Sequence, residues 1–204
     1  MLKVPRPGRV KTRLGRELGH VPAAWWFRHA SAALLRCLRD PRWNLVLAVS
    51  PDRQGLSCRI WPTDLPRVGQ GNGDLGDRMI RALQASPKGP VCVIGGDIPG
   101  VRPRHIATAF GALGGKDFVL GPALDGGFWL LGAKRGAMLR PGRLRGVRWS
   151  SEHALPDTLA NLAPASAALT DPLQDVDTFQ DLIALRKFAR RNAIFGDDCA
   201  QGAW

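Results

Sequence analysis

Apolar and polar positions along the chain fall into two alternating rhythms. Residues 22–39, "PAAWWFRHASAALLRCLR", set their apolar side chains at helical spacing, and Pro22 suits a first turn. The next segment, "WNLVLAVS" (43–50), is a short aliphatic run between Pro41 and Pro51, the pattern of a buried strand. The alternation then repeats. "DLGDRMIRALQAS" (74–86) predicts a helix with Asp74 as N-cap, and "PVCVIGGD" (90–97) a second buried strand. "PRHIATAFGAL" (103–113) predicts a helix opening on proline, and "DFVLGPAL" (117–124) a strand. "GFWLLGA" (127–133) follows closely and pairs either with that strand or with a neighbour. "SSEHALPDTLANL" (150–162) reads as helical despite Pro156, and "TFQDLIALRKFARR" (178–191) as the last helix, with a loose tail over 193–204.

Strands alternating with helices predict an α/β fold, a mostly parallel sheet with helices on both faces. Neither a repeat nor a linker composition interrupts the 204 residues, so residues 1–204 are expected to form one domain. In such folds ligands gather beyond the carboxyl ends of the strands. The residues just past each strand therefore carry the chemical question.

Composition changes this picture in one respect. Hydrophobic content of 45% and charged content of 23% are ordinary, but 29 Lys and Arg against 17 Asp and Glu leave a net charge of +12. Arginine supplies most of the excess and suits bidentate phosphate or carboxylate contacts, although base composition of a genome can also raise it. Cys37, Cys58, Cys92 and Cys199 are scattered without a CxxC pair, which predicts a reduced, cytoplasmic protein and disfavours thiolate metal sites. No membrane span and no signal-peptide pattern is expected.

Four stretches carry candidate chemistry. Asp97 in "GGDIPG" is the first charge after a wholly apolar strand; it either caps the turn or offers a carboxylate to a hard divalent ion. Asp125 in "ALDGGF" either makes an Asp-Gly hairpin turn or faces a ligand. In "DPLQDVDTFQDL", Asp175 and Asp177 point to one side of an extended segment and can approach one cation; Asp177 or Thr178 also suits a helix cap, with Gln180 or Asp181 completing a capping box. "GQGNGDLGDRM" is a glycine-rich loop entering a helix, able to receive an anion or a base edge. The chain also opens on "KVPRPGRVKTRLG", a basic, turn-forming stretch.

Taken in order, "KVPRPGRVKTRL", "GDLGDRM", "GGDIPG", "LGPALDGGFWLLG", "GVRWSSEHAL" and "DVDTFQDL" resemble the radical-SAM/selenodomain-associated transferases, a bacterial group of GT-A glycosyltransferase type related to 2-phospho-L-lactate guanylyltransferase. The resemblance spans about residues 3–185. It implies the nucleotide-diphospho-sugar transferase (GT-A, Rossmann-like) fold and a nucleoside triphosphate or nucleotide-sugar donor with a small-molecule acceptor. It also implies Mg2+ or Mn2+ as cofactor. Carried onto this sequence, Gly8, Arg9, Lys11, Thr12 and Arg13 would form the phosphate loop, and Gln70, Gly73 and Asp74 would line the nucleotide pocket. Asp97 and Asp177 would hold the metal, with Asp175 as a further candidate, and Asp125 would face the acceptor. Lys11, Arg13, Asp97 and Asp125 are the catalytic candidates. Two departures stand out: only Met1 and Leu2 precede Lys3, so the first strand is expected to be truncated, and Gly96 stands where relatives commonly carry serine.

Two other function classes remain at this level. A basic nucleic-acid-binding protein would account for the charge, but no recognition motif is present and Trp25, Trp26 and Trp43 lie in core-like segments, so no dedicated nucleic-acid partner is expected. A noncatalytic relative of the transferases is the other.

Overall fold

The computed structural model describes residues 1–85 and 88–192. Strands β1 (Leu2–Lys3), β2 (Leu47–Ser50) and β3 (Arg67–Gly69) form one parallel sheet in the order β1-β2-β3. Strands β4 (Val91–Ile94), β5 (Phe118–Pro122), β6 (Phe128–Ala133) and β7 (Ala167–Leu169) form a second, mixed sheet in the order β4-β6-β5-β7. There β6 runs antiparallel to both β4 and β5, and β7 runs parallel to β5. The helices are α1 (Thr12–Leu18), α2 (His20–Cys37), α3 (Asp52–Leu56), α4 (Leu75–Gln84), α5 (Pro103–Ala112), α6 (Ala154–Leu162) and α7 (Phe179–Asn192).

The predicted strands and helices appear near their expected places, and the reason is burial on both faces of β5 and β6. Phe118, Leu120, Leu131 and Ala133 pack in one core with Met79, Ile80 and Leu83 of α4 and Leu162 of α6. Val119 and Leu130, pointing the other way, pack with Ile106 and Ala109 of α5. Side-chain direction alternates along a strand, so a strand covered on both sides must be apolar throughout. A third core joins β1 and β2 to α1, α2 and α7 through Leu14, Phe27, Val49 and Leu182.

The first strand is two residues long, and it lies where the two sheets approach each other. Val4 N–H donates to Ser50 O (2.8 Å), and the Met1 ammonium donates to Ile94 O of β4 (2.5 Å). Burial pulls the pKa of that ammonium down to about 6, with Asp97 pulling the other way. Gly96 is required by the same contact. A Cβ there would overlap the Leu2 side chain and lie 2.9 Å from Met1 O, so serine has no room. The expected loose tail, 193–204, lies outside the described residues. No helix among the described residues is long and apolar enough to cross a membrane.

Candidate functional site

The connections after β1, β4, β5 and β7 converge on one cavity of about 550 Å³, within the size range of small-molecule sites. From β4 the chain turns through Gly95 and Gly96 and delivers Asp97 to its wall. The β5–β6 turn delivers Asp125, whose Oδ1 accepts the Gly127 N–H (2.9 Å). The Asp-Gly hairpin turn read from the sequence is therefore present, and Asp125 lines the cavity. Gly126 in that turn has φ 84°, and a side chain on it would run into the backbone of Glu152.

Asp175 and Asp177 arrive from the far end of the chain. Leu173 N–H donates to Pro122 O (3.0 Å) and an isolated bridge joins Ala123 to Leu173, so the segment runs alongside the end of β5. Val176 turns into the core, 2% exposed, and its two neighbours turn toward the cavity. Thr178 and Asp181, not Asp177, cap α7. Thr178 N–H donates to Asp181 Oδ2 (2.7 Å), and Asp181 N–H to Thr178 Oγ1 (3.2 Å). Asp177 is left to the site.

One oxygen from each of Asp97, Asp175 and Asp177 lies within 4.8 Å of the others. Three converging carboxylates are a donor set for a hard divalent cation with oxygen ligands. Burial first, then Asp177, pushes the Asp175 carboxyl up to about 6; Lys11 opposes, and Asp97 and Asp125 add to the rise. The carboxylates crowd one another, and Lys11 is the cation seated among them.

Lys11 supplies positive charge to this cluster. Its Nζ lies 2.6 Å from Asp97 Oδ2 and 2.6 Å from Asp177 Oδ1, and its side chain is only 4% exposed. Burial would lower its pKa, but the two carboxylates outweigh burial and hold it above the ordinary lysine value. Its backbone sits in the left-handed region (φ 46°, ψ 48°) at the N-cap of α1. Arg13, more open, reaches Asp177 Oδ2 at 3.6 Å, and Arg9 and Thr12 also line the cavity.

The other expected nucleotide-side residues divide. Gln70 lines the cavity but is 3% exposed, its amide donating to Ala48 O (2.9 Å) and Leu2 O (3.3 Å). It braces β1 against β2. Asp74 caps α4 in a reciprocal box with Asp77, and Gly8, Gly73 and Asp74 do not line the cavity. Asp74 touches it indirectly, through a hydrogen bond from Trp149 Nε1 (3.3 Å).

A family profile for uncharacterized proteins conserved in bacteria, DUF2064, matches residues 33–151, more than half of the chain and the stretch that contains Asp97 and Asp125. The chain belongs to the DUF2064 family. No curated protein matches it. Among solved structures, this DUF2064 protein is similar to a protein of Desulfovibrio desulfuricans G20 provisionally assigned as a nucleotide-diphospho-sugar transferase, with 27% identity and a TM-score of 0.85 over 98% of this chain and 89% of that one. The fold is that of the nucleotide-diphospho-sugar transferases. It is also similar to 4-diphosphocytidyl-2C-methyl-D-erythritol synthase of Anaerococcus prevotii DSM 20548, with 11% identity and a TM-score of 0.57 over 81% and 89% of the two chains, a likeness of fold alone.

Several cavity residues of the DUF2064 chain carried no functional signal in the sequence. Phe27, Leu75, Met79 and Phe128 have no role of their own in the sequence, and they form apolar walls of the cavity. The Phe128 and Trp149 rings meet edge to face (centroids 6.2 Å apart, 68°). Arg148, next to Trp149 in sequence, is held away by a bidentate pair with Asp157 (2.9 and 2.8 Å).

Proposed function

We propose that this chain is a metal-dependent transferase that takes a nucleotide donor and moves a glycosyl or nucleotidyl group to a small-molecule acceptor. One observation carries the reading: three carboxylates from two distant connections meet beside Arg9, Lys11 and Arg13 in a single cavity at the carboxyl ends of the strands. The fold shared with the Desulfovibrio protein supports it, as does the motif resemblance to the radical-SAM/selenodomain-associated transferases.

Asp97 and Asp177, joined by Asp175, would hold Mg2+ or Mn2+, which supplies positive charge to the phosphate oxygens of the donor. Arg9 and Arg13 bind the phosphates at the rim, and the Gly8–Thr12 loop lets backbone amides approach them. Of Gln70, Gly73 and Asp74, expected on the nucleotide side, only Gln70 borders the cavity, where it braces β1, and Asp74 acts through its hydrogen bond from Trp149. Asp125, fixed by its turn, orients the acceptor hydroxyl and receives its proton. Phe128 and Trp149 exclude water from the acceptor side. Catalysis of this kind works by placement and electrostatics rather than through a covalent enzyme intermediate. The scattered cysteines, without a CxxC pair in the sequence, suit a reducing cytoplasm.

The test is a panel of nucleoside triphosphates and nucleotide sugars with Mg2+ or Mn2+. Pyrophosphate release identifies nucleotidyl transfer, and free nucleoside diphosphate identifies glycosyl transfer. Asp97→Asn should lower turnover at least 100-fold without changing the circular dichroism spectrum. Turnover at the wild-type rate in that variant overturns the assignment.

A further inference from the structure

We infer that Lys11 is a displaceable occupant of the acidic cluster, so that the cluster takes a divalent cation well only when an anionic ligand draws the ammonium away. The inference rests on reading Asp97, Asp175 and Asp177 as the metal site. Its consequence is that metal and phosphate ligand enter together rather than in sequence.

The geometry supplies the conflict. Lys11 Nζ lies 2.6 Å from one oxygen of Asp97 and 2.6 Å from one oxygen of Asp177, two of the three residues whose oxygens converge. A cation drawing on those carboxylates meets an ammonium already seated among them, and the two positive charges repel at short range. The side chain is 4% exposed, so little solvent screens that repulsion.

The same geometry supplies the exit. Lysine has a flexible four-carbon stem and three rotatable donors, unlike the fixed fork of arginine. Lys11 stands at the joint between the opening loop and α1, in a left-handed backbone conformation uncommon for a residue with a side chain. Relaxation at that joint would carry the ammonium toward the rim. Arg9 and Arg13 line the cavity on either side of Lys11 in sequence. An anion gathered by these two arginines therefore lies beside the lysine and offers it the oxygens it would exchange for Asp97 and Asp177. A structural lysine would instead stay in place whatever binds.

The experiment titrates Mn2+ alone, followed by electron paramagnetic resonance of the free ion, into wild-type protein and Lys11→Met. Removal of the ammonium should tighten Mn2+ binding at least tenfold. Equal affinity in the two proteins overturns the inference and leaves the metal site standing. Absence of Mn2+ binding in both overturns inference and metal site together, whereas the proposed transferase reading is judged separately by turnover.

Should Lys11→Met not fold, the wild-type protein decides through the 15N-detected side-chain signal of the Lys11 ammonium. Mg2+ alone should leave that signal in place, and Mg2+ with inorganic pyrophosphate should shift or broaden it. Displacement by Mg2+ alone, or no response to the pair, overturns the inference.

Discussion

Replacing Asp175 by asparagine is expected to stabilise the metal-free protein, and only above a definite pH. In the folded chain the Asp175 carboxyl titrates at about 6 against an ordinary 3.8, because burial and the neighbouring Asp177 disfavour its charge. A folded-state pKa above the unfolded one means that the folded protein holds the proton more tightly. Its advantage is present below about pH 4 and is lost as pH rises through 6, where the carboxylate must stay charged in place. Taken at face value, that shift amounts to ~3 kcal/mol. Solvent reaches this side chain, so ~1 kcal/mol is the reasonable magnitude after screening. Asparagine keeps the shape and never ionises. With EDTA present, calorimetric melting should give equal Tm for both proteins at pH 4. Above pH 6.5 the variant should melt ~2–4 °C higher, the effect of 1 kcal/mol on a domain of this size. Excess Mn2+ together with inorganic pyrophosphate should narrow or reverse the gap, since only the wild type offers three carboxylates. Equal melting at pH 7.5 without metal, or a variant less stable at every pH, refutes the electrostatic account of the cluster.

Two further outcomes concern the scaffold. Arg67 donates to five backbone carbonyls, those of Gly55, Leu56, Cys58, Trp61 and Pro62, at 2.5 to 3.3 Å. Arg67→Ala should lower unfolding stability by ~2–4 kcal/mol, read from the urea midpoint, because charged hydrogen bonds to part-buried carbonyls are lost together; a loss under 0.5 kcal/mol would show that the loop holds itself. Burial pushes the Cys92 thiol up to about 12 from an ordinary 9.0, so its thiolate is ~1000-fold scarcer at pH 8. Iodoacetamide followed by mass spectrometry should leave Cys92 unmodified in the native protein and label it after unfolding; native labelling at the rate of Cys58 contradicts this.

Long apolar runs and strong helical spacing made β2, β4, β5, β6 and the helices α2, α4, α5, α6 and α7 legible in the sequence. The short pieces were not. β1, β3 and β7 have two or three residues each, and α1 and α3 have seven and five, too few for any period to register. The antiparallel insertion of β6 between β4 and β5 was also open, since adjacency along the chain does not fix which edge a strand takes. At the site, the carboxylates at strand ends could be found because polarity after an apolar run is a local signal. The partner of Lys11 could not. A lysine in a basic loop reads as a phosphate ligand, and only the fold brings it to acids 86 and 166 positions away (97 − 11 and 177 − 11). Gln70 likewise read as a pocket residue, while its amide is spent on the backbone of Leu2 and Ala48.

The bond between Lys11 and Asp177 spans 166 positions, so it closes most of the polypeptide into one ring. Such a long closure is expected late in folding, after the local hairpin and helix contacts have formed. The same closure brings Leu14 and Leu182 into one core, so a cut inside that ring parts both the core and the Lys11–Asp177 pair. The Lys11–Asp177 contact thus reports on completion of the whole molecule, which makes it a stricter gauge of proper assembly than any spectrum of its helices.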